Sequence, residues 1–294
     1  MIIISLGQGL GNQMFQYAFG CGLKEKFPAI EIKYDTNYAF PRAHNGVELD
    51  RIFGIELNEC TYEEVKSLSD RKILGDKEGI AKKAFREIRK RLGFKKESFK
   101  RQDDFTEYYE YFFEVDPNKS YYFYGTFCNS KYFANIYDNI RDKYIFPPLD
   151  QQNMKWAEVI QAKHCVSIHI RRGDYIKEGL GVLPLEYYTN AVNLIRKRFP
   201  DIEFTYLIFS NDEEFVKKEF KWLENSYIVT ENSGDQSYRD MQLMSMCEHN
   251  IIANSTFSFW GAFLNRNPEK VVIGPKEPLN HCRCPFTADG WILI

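Results

Sequence analysis

The chain has 294 residues, 44% apolar and 16% aromatic, enough for ordinary globular cores and for two medium domains or one large one. A formal net charge of −2 gives no global field for nucleic acid or an anionic membrane, so any anion must be held by a local arrangement. No apolar run reaches the length of a membrane span, residues 1–7 lack the basic start of a signal peptide, and seven scattered cysteines argue against a secreted disulfide framework. His281, Cys282 and Cys284 lie close together, but without a second cluster at zinc-like spacing they read as free thiols, and the cytoplasm is the expected compartment.

Residues 2–6 read as a buried strand that runs into Gly7-Gln8-Gly9-Leu10-Gly11-Asn12-Gln13, with a helix expected over 14–27. Strand, glycine loop and helix form a phosphate-approach geometry, because glycines let backbone N–H groups come close and a helix N-terminus favours anions. The third glycine of a dinucleotide fingerprint falls at Asn12, where a side chain would disturb close helix–strand packing. The loop therefore reads as presenting Asn12 and Gln13 to a sugar or phosphate, with an ordinary turn as the alternative. A second strand at 30–34 leads to Asp35.

Residues 77–101 carry apolar side chains at helical spacing and a basic face from Lys82 to Arg101. That face reads either as a solvated surface or as an arm touching anionic lipid or a lipid-carried acceptor. The runs 108–113 and 121–127 are rich in Tyr and Phe, whose commoner use is core packing, although such rings also stack on sugars. Pro147-Pro148 and the polar residues 150–153 mark the expected linker, dividing the chain into 1–150 and 151–294.

Beyond the linker the alternation is regular. Strands are expected at 165–170, 204–209, 227–229, 250–253 and 270–273, with helices between them, which predicts a parallel doubly wound sheet. The right-handed crossover rule aligns the strand C-termini along one rim. That rim carries His169, Arg171 and Asp174, then Ser210, Asn211 and Asp212, then Asn254, Ser255 and Thr256. Period-2 geometry puts Ser167, His169 and Arg171 on one strand face and Val166, Ile168, Ile170 and Arg172 on the other. A guanidinium is permanently charged and binds phosphate bidentately, and Ser255 and Thr256 open a helix, so a nucleotide diphosphate is the ligand these residues suit best.

The same residues resemble the bacterial α-1,2-fucosyltransferases of glycosyltransferase family eleven over nearly the whole chain. The resemblance rests on Gly9-Leu10-Gly11-Asn12-Gln13-Met14-Phe15-Gln16-Tyr17-Ala18, on Tyr124-Gly125-Thr126-Phe127 through Tyr132-Phe133, and on His169-Ile170-Arg171-Arg172-Gly173-Asp174-Tyr175. It extends through Phe209-Ser210-Asn211-Asp212 and from Asp240 through His249 and the run 251–258 to Leu264-Asn265. Phe259 and Phe263 stand where that family usually has Trp, and Cys128-Asn129 where Gln is common, which bears on acceptor fit more than on chemistry.

The resemblance implies a GT-B-like fold, two Rossmann-like α/β domains facing a cleft. The acceptor side would lie in 1–150 and the GDP-fucose-binding domain in 151–294, with the last eighteen or so residues able to pack back on the first domain. It implies inverting transfer of fucose to the 2-hydroxyl of a terminal β-galactose in a polysaccharide, O-antigen or oligosaccharide, without a metal or other cofactor. The place implied is the cytoplasm, at the inner face of the membrane if residues 82–101 touch it and the acceptor is lipid-linked. Arg171 is expected to meet the charge on the departing diphosphate, assisted by Ser255, Thr256 and Phe257. His169, Ser210, Asn211, Asp240 and Asn254, with Gly9, Gly11 and Asn12, complete the expected donor site. Asn12 and Gln13 are expected to orient the acceptor, Asp174 and Asp212 are the candidate bases, and Arg172 is expected to brace the loop. A different nucleotide sugar on the same fold, or a non-catalytic nucleotide- or glycan-binding protein, are the alternatives.

Overall fold

A computed structural model of the protein describes residues 1–41, 44–74 and 96–294. The chain divides into two units, Met1–Ile140 and Arg141–Ile294. The expected linker does not separate them. Asp150 instead caps a helix, Gln151–Ala162, its carboxylate accepting a hydrogen bond from Asn153 N at 2.8 Å.

The first unit is built on a parallel sheet of β1 (Ile2–Ser5), β2 (Ile32–Asp35), β3 (Phe99–Arg101) and β4 (Tyr121–Tyr124), in the order β2-β1-β4-β3. β1 lies between two partners and is covered on both faces, which is why it is an unbroken apolar run instead of an alternating one. The helix Leu10–Lys26 connects β1 to β2 and starts four residues earlier than expected, because the Asn12 and Gln13 N–H groups already donate to Gly9 O. Close packing comes from glycines further along that helix. A Cβ on Gly22 would sit 2.1 Å from the Tyr132 carbonyl oxygen, so no larger residue fits. The aromatic runs are core: Phe19 stacks on Phe127 at 4.0 Å and meets Phe112, Phe123 and Tyr132. The basic segment beginning at Lys82 lies largely outside the described residues. Its end, Phe99–Arg101, is a strand pairing with β4, not the end of a helix.

The second unit carries β5 (His164–Ile170), β6 (Phe204–Ser210), β7 (Ser226–Val229), β8 (His249–Ile251), β9 (Val272–Gly274) and β10 (Ile292–Leu293), all parallel, in the order β10-β9-β8-β5-β6-β7. Five strands were expected. The sixth, β10, is two residues long and completes the second sheet beside β9, so this part of the C-terminal segment belongs to the second unit. Val166, Ile168 and Ile170 enter a core with Tyr188, Ala191, Val192 and Ile195 of the helix Leu185–Arg198, as their parity requires. Among the described residues no helix is long and apolar enough to cross a membrane, and the cysteines form no disulfide.

Candidate active site

Numbered from β5, the second sheet runs 3-2-1-4-5-6, the doubly wound order, so its connections reverse direction between β5 and β8. Ligands of open parallel sheets bind beyond the strand C-termini at such a switch point. Here those two ends carry His169 to Asp174 and Asn254 to Phe257.

At the end of β5 the chain turns directly into the short helix Gly173–Glu178, and the turn is knitted to the end of β6 by Asn211. Asn211 Oδ1 accepts from Arg172 N at 2.9 Å and from Gly173 N at 3.3 Å, while its Nδ2 donates to Asp174 Oδ1 at 2.9 Å. Asp174 Oδ2 accepts from Arg171 at 2.5 Å. Asp174 is thereby held below the ordinary carboxylate range: burial works to raise its pKa, but the Arg171 guanidinium outweighs it. Arg172 points to the other side of the strand, its guanidinium 3.7 Å from the centre of the Phe215 ring and 3.3 Å from Asp212. The two arginines therefore have separate surroundings, as strand parity predicts, and Arg172 is the brace.

Both candidate bases are engaged in hydrogen bonds. Asp212 accepts from Phe215 N at 3.1 Å as a helix cap, with its other oxygen on Arg172. All four carboxylate oxygens of Asp174 and Asp212 accept a hydrogen bond, one from an arginine in each residue. Ser210 Oγ accepts from Asp212 N and shapes the same turn.

His169 is 5% exposed, and burial with Arg171 nearby lowers its pKa to about 3, so it is a neutral imidazole. Its ring lies 5.8 Å from that of Phe257. At the end of β8, Ser255 caps the helix Thr256–Leu264, its Oγ accepting from Phe257 N at 3.3 Å. Asn254 Nδ2 donates to Glu277 O. Three buried polar atoms at these two strand ends have no hydrogen-bond partner: His169 Nδ1, Arg171 Nε and Asn254 Oδ1. Such groups cost roughly 1–3 kcal/mol each when left unsatisfied, and these three are half of the six such atoms among the described residues.

Asp240 sits in the first turn of the helix Tyr238–Met246 and accepts from Asn232 Nδ2 at 2.8 Å. Burial raises its pKa to about 7. Asn232 also exchanges hydrogen bonds with Asn153. Neither Asn153 nor Asn232 stood out in the sequence, because they lie 79 positions apart and neither sits in a motif.

In the first unit Gly9 is the N-cap of the helix Leu10–Lys26, Gly11 is buried in its first turn, and Asn12 is half-buried. Asn12 Nδ2 donates to Gln8 Oε1 at 2.8 Å. Gln13 needs correction. It is 0% exposed; its Nε2 donates to the Gln8 and Gly46 carbonyls and its Oε1 accepts from Glu48 N. It ties the glycine loop to the following segment and has no surface to offer an acceptor.

The glycosyl transferase family 11 model matches residues 1–283. An O-antigen biosynthesis glycosyltransferase of Escherichia coli, WbnK, is 29% identical, covering 98% of this chain and 98% of its own length. An alpha-1,2-colitosyltransferase of Escherichia coli is 30% identical over 100% of this chain and 99% of its own. Among solved structures, fucosyltransferase NodZ from Bradyrhizobium, at 12% identity and TM-score 0.51, covers 88% of this chain and 90% of its own. Arabidopsis thaliana FUT1 in complex with GDP, at 12% identity and TM-score 0.51, covers 96% of this chain and 71% of its own. These likenesses agree with the GT-B class of two parallel-sheet α/β units. Matched over nearly its whole length by the family model and by full-length relatives, the chain is a glycosyltransferase and belongs to glycosyl transferase family 11.

Proposed function

We propose that the protein transfers fucose from GDP-fucose to the 2-hydroxyl of a terminal β-galactose, with inversion and without a metal, in the assembly of a surface polysaccharide such as an O-antigen. The observation that carries the donor half is the group of unpartnered buried atoms, His169 Nδ1, Arg171 Nε and Asn254 Oδ1, beside the Ser255 helix cap at the switch point. As the fucose C1–O bond breaks, negative charge grows on the departing diphosphate. Arg171, its guanidinium anchored on Asp174, and the first N–H groups of the helix Thr256–Leu264 are fixed donors of the kind that stabilises such charge. His169 and Asp240 would help hold the nucleotide. With a good leaving group, positioning of the acceptor hydroxyl matters more than a strong base, and Asn12 is the first-unit residue assigned to the sugar. In this reading 151–294 holds the donor and 1–150 the acceptor, on the cytoplasmic side, with residues 82–101 meeting the membrane where the acceptor is lipid-linked.

The colitosyltransferase relative favours a second reading, in which colitose replaces fucose on the same nucleotide. Incubation with GDP-fucose, GDP-linked colitose or UDP-galactose and a panel of β-galactosides, with and without EDTA, followed by linkage analysis, tests both. An α-1,2-linked fucoside formed equally well in EDTA is the expected product. Colitose transfer without fucose transfer selects the second reading, and EDTA-abolished transfer overturns metal independence.

A further inference from the structure

We propose that a cavity of about 310 Å³ at the C-terminal ends of β1 and β2 is the subsite for the terminal neutral hexose of the acceptor, read by Asn37, Glu59 and Gln8 with Phe40 as its wall. The inference rests on the acceptor half of the proposed function and supplies the residues that Gln13 does not.

The cavity is rigidly framed. Buried Asp35, at the end of β2, accepts from Tyr122 Oη at 2.6 Å, from Asn37 N at 3.2 Å and from Tyr38 N at 2.7 Å, fixing the turn that forms one side. Glu59 is held by backbone pairing of its neighbours to Tyr34: Tyr34 N donates to Asn58 O and Cys60 N to Tyr34 O. On the opposite side Gln8 has φ of 68°, a left-handed conformation uncommon for a residue with a side chain. Gly7 lets the Phe40 ring approach this loop, since a Cβ there would lie 3.1 Å from Phe40 Cδ2.

Within that frame the polar groups form a directed series. Asn37 Nδ2 donates to Thr36 Oγ1 at 2.9 Å, and Thr36 Oγ1 donates to Glu59 Oε1 at 2.7 Å. The series uses the Thr36 hydroxyl proton and one of the two Asn37 amide N–H groups, and leaves Asn37 Oδ1 and Glu59 Oε2 as acceptors. Gln8 Oε1 is taken by Asn12, so the Gln8 amide N–H₂ remains as a donor. Acceptors and a donor around one aromatic wall match a ring bearing neighbouring hydroxyls on one face and C–H groups on another. Among the described lining residues the one charged side chain is the Glu59 carboxylate, an acceptor suited to a ligand's hydroxyl groups. The cavity volume is at the small end of the ~300–1,000 Å³ typical of ligand pockets, fitting a single sugar ring better than a nucleotide.

Saturation-transfer NMR of the full chain with methyl β-galactoside tests this directly. The expected result is binding by the wild type and binding about ten-fold weaker in Asn37→Ala and in Glu59→Gln, the loss of roughly one hydrogen bond each, with thermal midpoints unchanged. Both side chains are at the surface, and Glu59→Gln preserves shape, so that variant keeps the test valid if Asn37→Ala loosens the turn. Equal binding by the wild type and Glu59→Gln overturns the inference. Absence of wild-type binding to methyl β-galactoside and to other neutral methyl hexosides overturns it as well. No nucleotide sugar enters this measurement, so failure of transfer from GDP-fucose would count against the proposed function alone.

Discussion

The two sheet rims treat their polar side chains in opposite ways. At the first-unit rim Gln13 and Gln16 are fully buried and spend their amides on the backbone: Gln13 on Gln8, Gly46 and Glu48, and Gln16 on Gly7 and Gly125. At the second-unit rim His169, Arg171 and Asn254 each keep a buried atom without a partner. A satisfied buried network specifies a shape, whereas an unsatisfied one costs stability that a ligand can return. The first amides therefore build, whereas the second set keeps atoms open to a ligand. Conspicuous polar residues beside a glycine loop are not evidence of a site until their hydrogen bonds are accounted for.

The comparison breaks most readily at Arg171. Arg171→Ala is expected to lower kcat by at least about a thousand-fold, the loss of a charge-stabilising donor, while circular dichroism and thermal midpoint stay near the wild type. Near-normal turnover in the folded variant would remove Arg171 from the chemistry. Gln13→Leu should do the reverse. Three backbone groups lose their partners, one in a buried and two in part-buried hydrogen bonds, so denaturant titration should show about 2–4 kcal/mol of lost stability, while kcat/KM per folded molecule changes little. A selective rise in acceptor KM at unchanged stability would restore Gln13 to the acceptor site.

These residues also show what sequence can and cannot convey. The parallel second sheet was legible because each buried strand is an apolar run bounded by a helix, and period 2 alone separates Arg171 from Arg172. The partners of Asp174 and Asp212 were not legible as a set, because Asn211 and Arg172 reach them across 37 and 40 positions. With both oxygens of each carboxylate engaged, bracing the arginines is a second role beside that of a base. Gln13 was misread because a buried amide and an exposed one look alike in a polar loop. The acids and amides of residues 36–59 were passed over because they match no motif and meet only when Glu59 is set beside β2.

Asp174→Asn sharpens the second rim. The amide can still accept from Arg171 but loses its charge, so the guanidinium is held less firmly and kcat should fall about ten-fold. If Asp174 acts only by positioning Arg171, the pH–rate profile keeps its shape. Loss of an acidic limb in that variant would identify Asp174 as a base, and the same comparison for Asp212→Asn tests its role as cap and brace.

The smallest effect is a stability difference that only pH reveals. Burial raises the Asp240 carboxyl to about 7, whereas in the unfolded chain it ionises near the ordinary value of about 4. Between those values the folded protein keeps a proton the unfolded chain has released, so Asp240 lowers stability as pH rises through this window. His169, lowered to about 3, acts with the opposite sign: below about 6.5 the unfolded chain takes up a proton that the folded imidazole refuses, so stability is lost as pH falls. Over much of the range from 4 to 6.5 the two slopes oppose each other. Asp240→Asn should remove one of them, leaving the variant equal to the wild type near pH 4 and more stable at pH 8, with a steeper acid-side decline between. Denaturant titrations at pH 4, 6 and 8 measure this, and an unchanging gap across the three would show that Asp240 does not titrate in the folded protein.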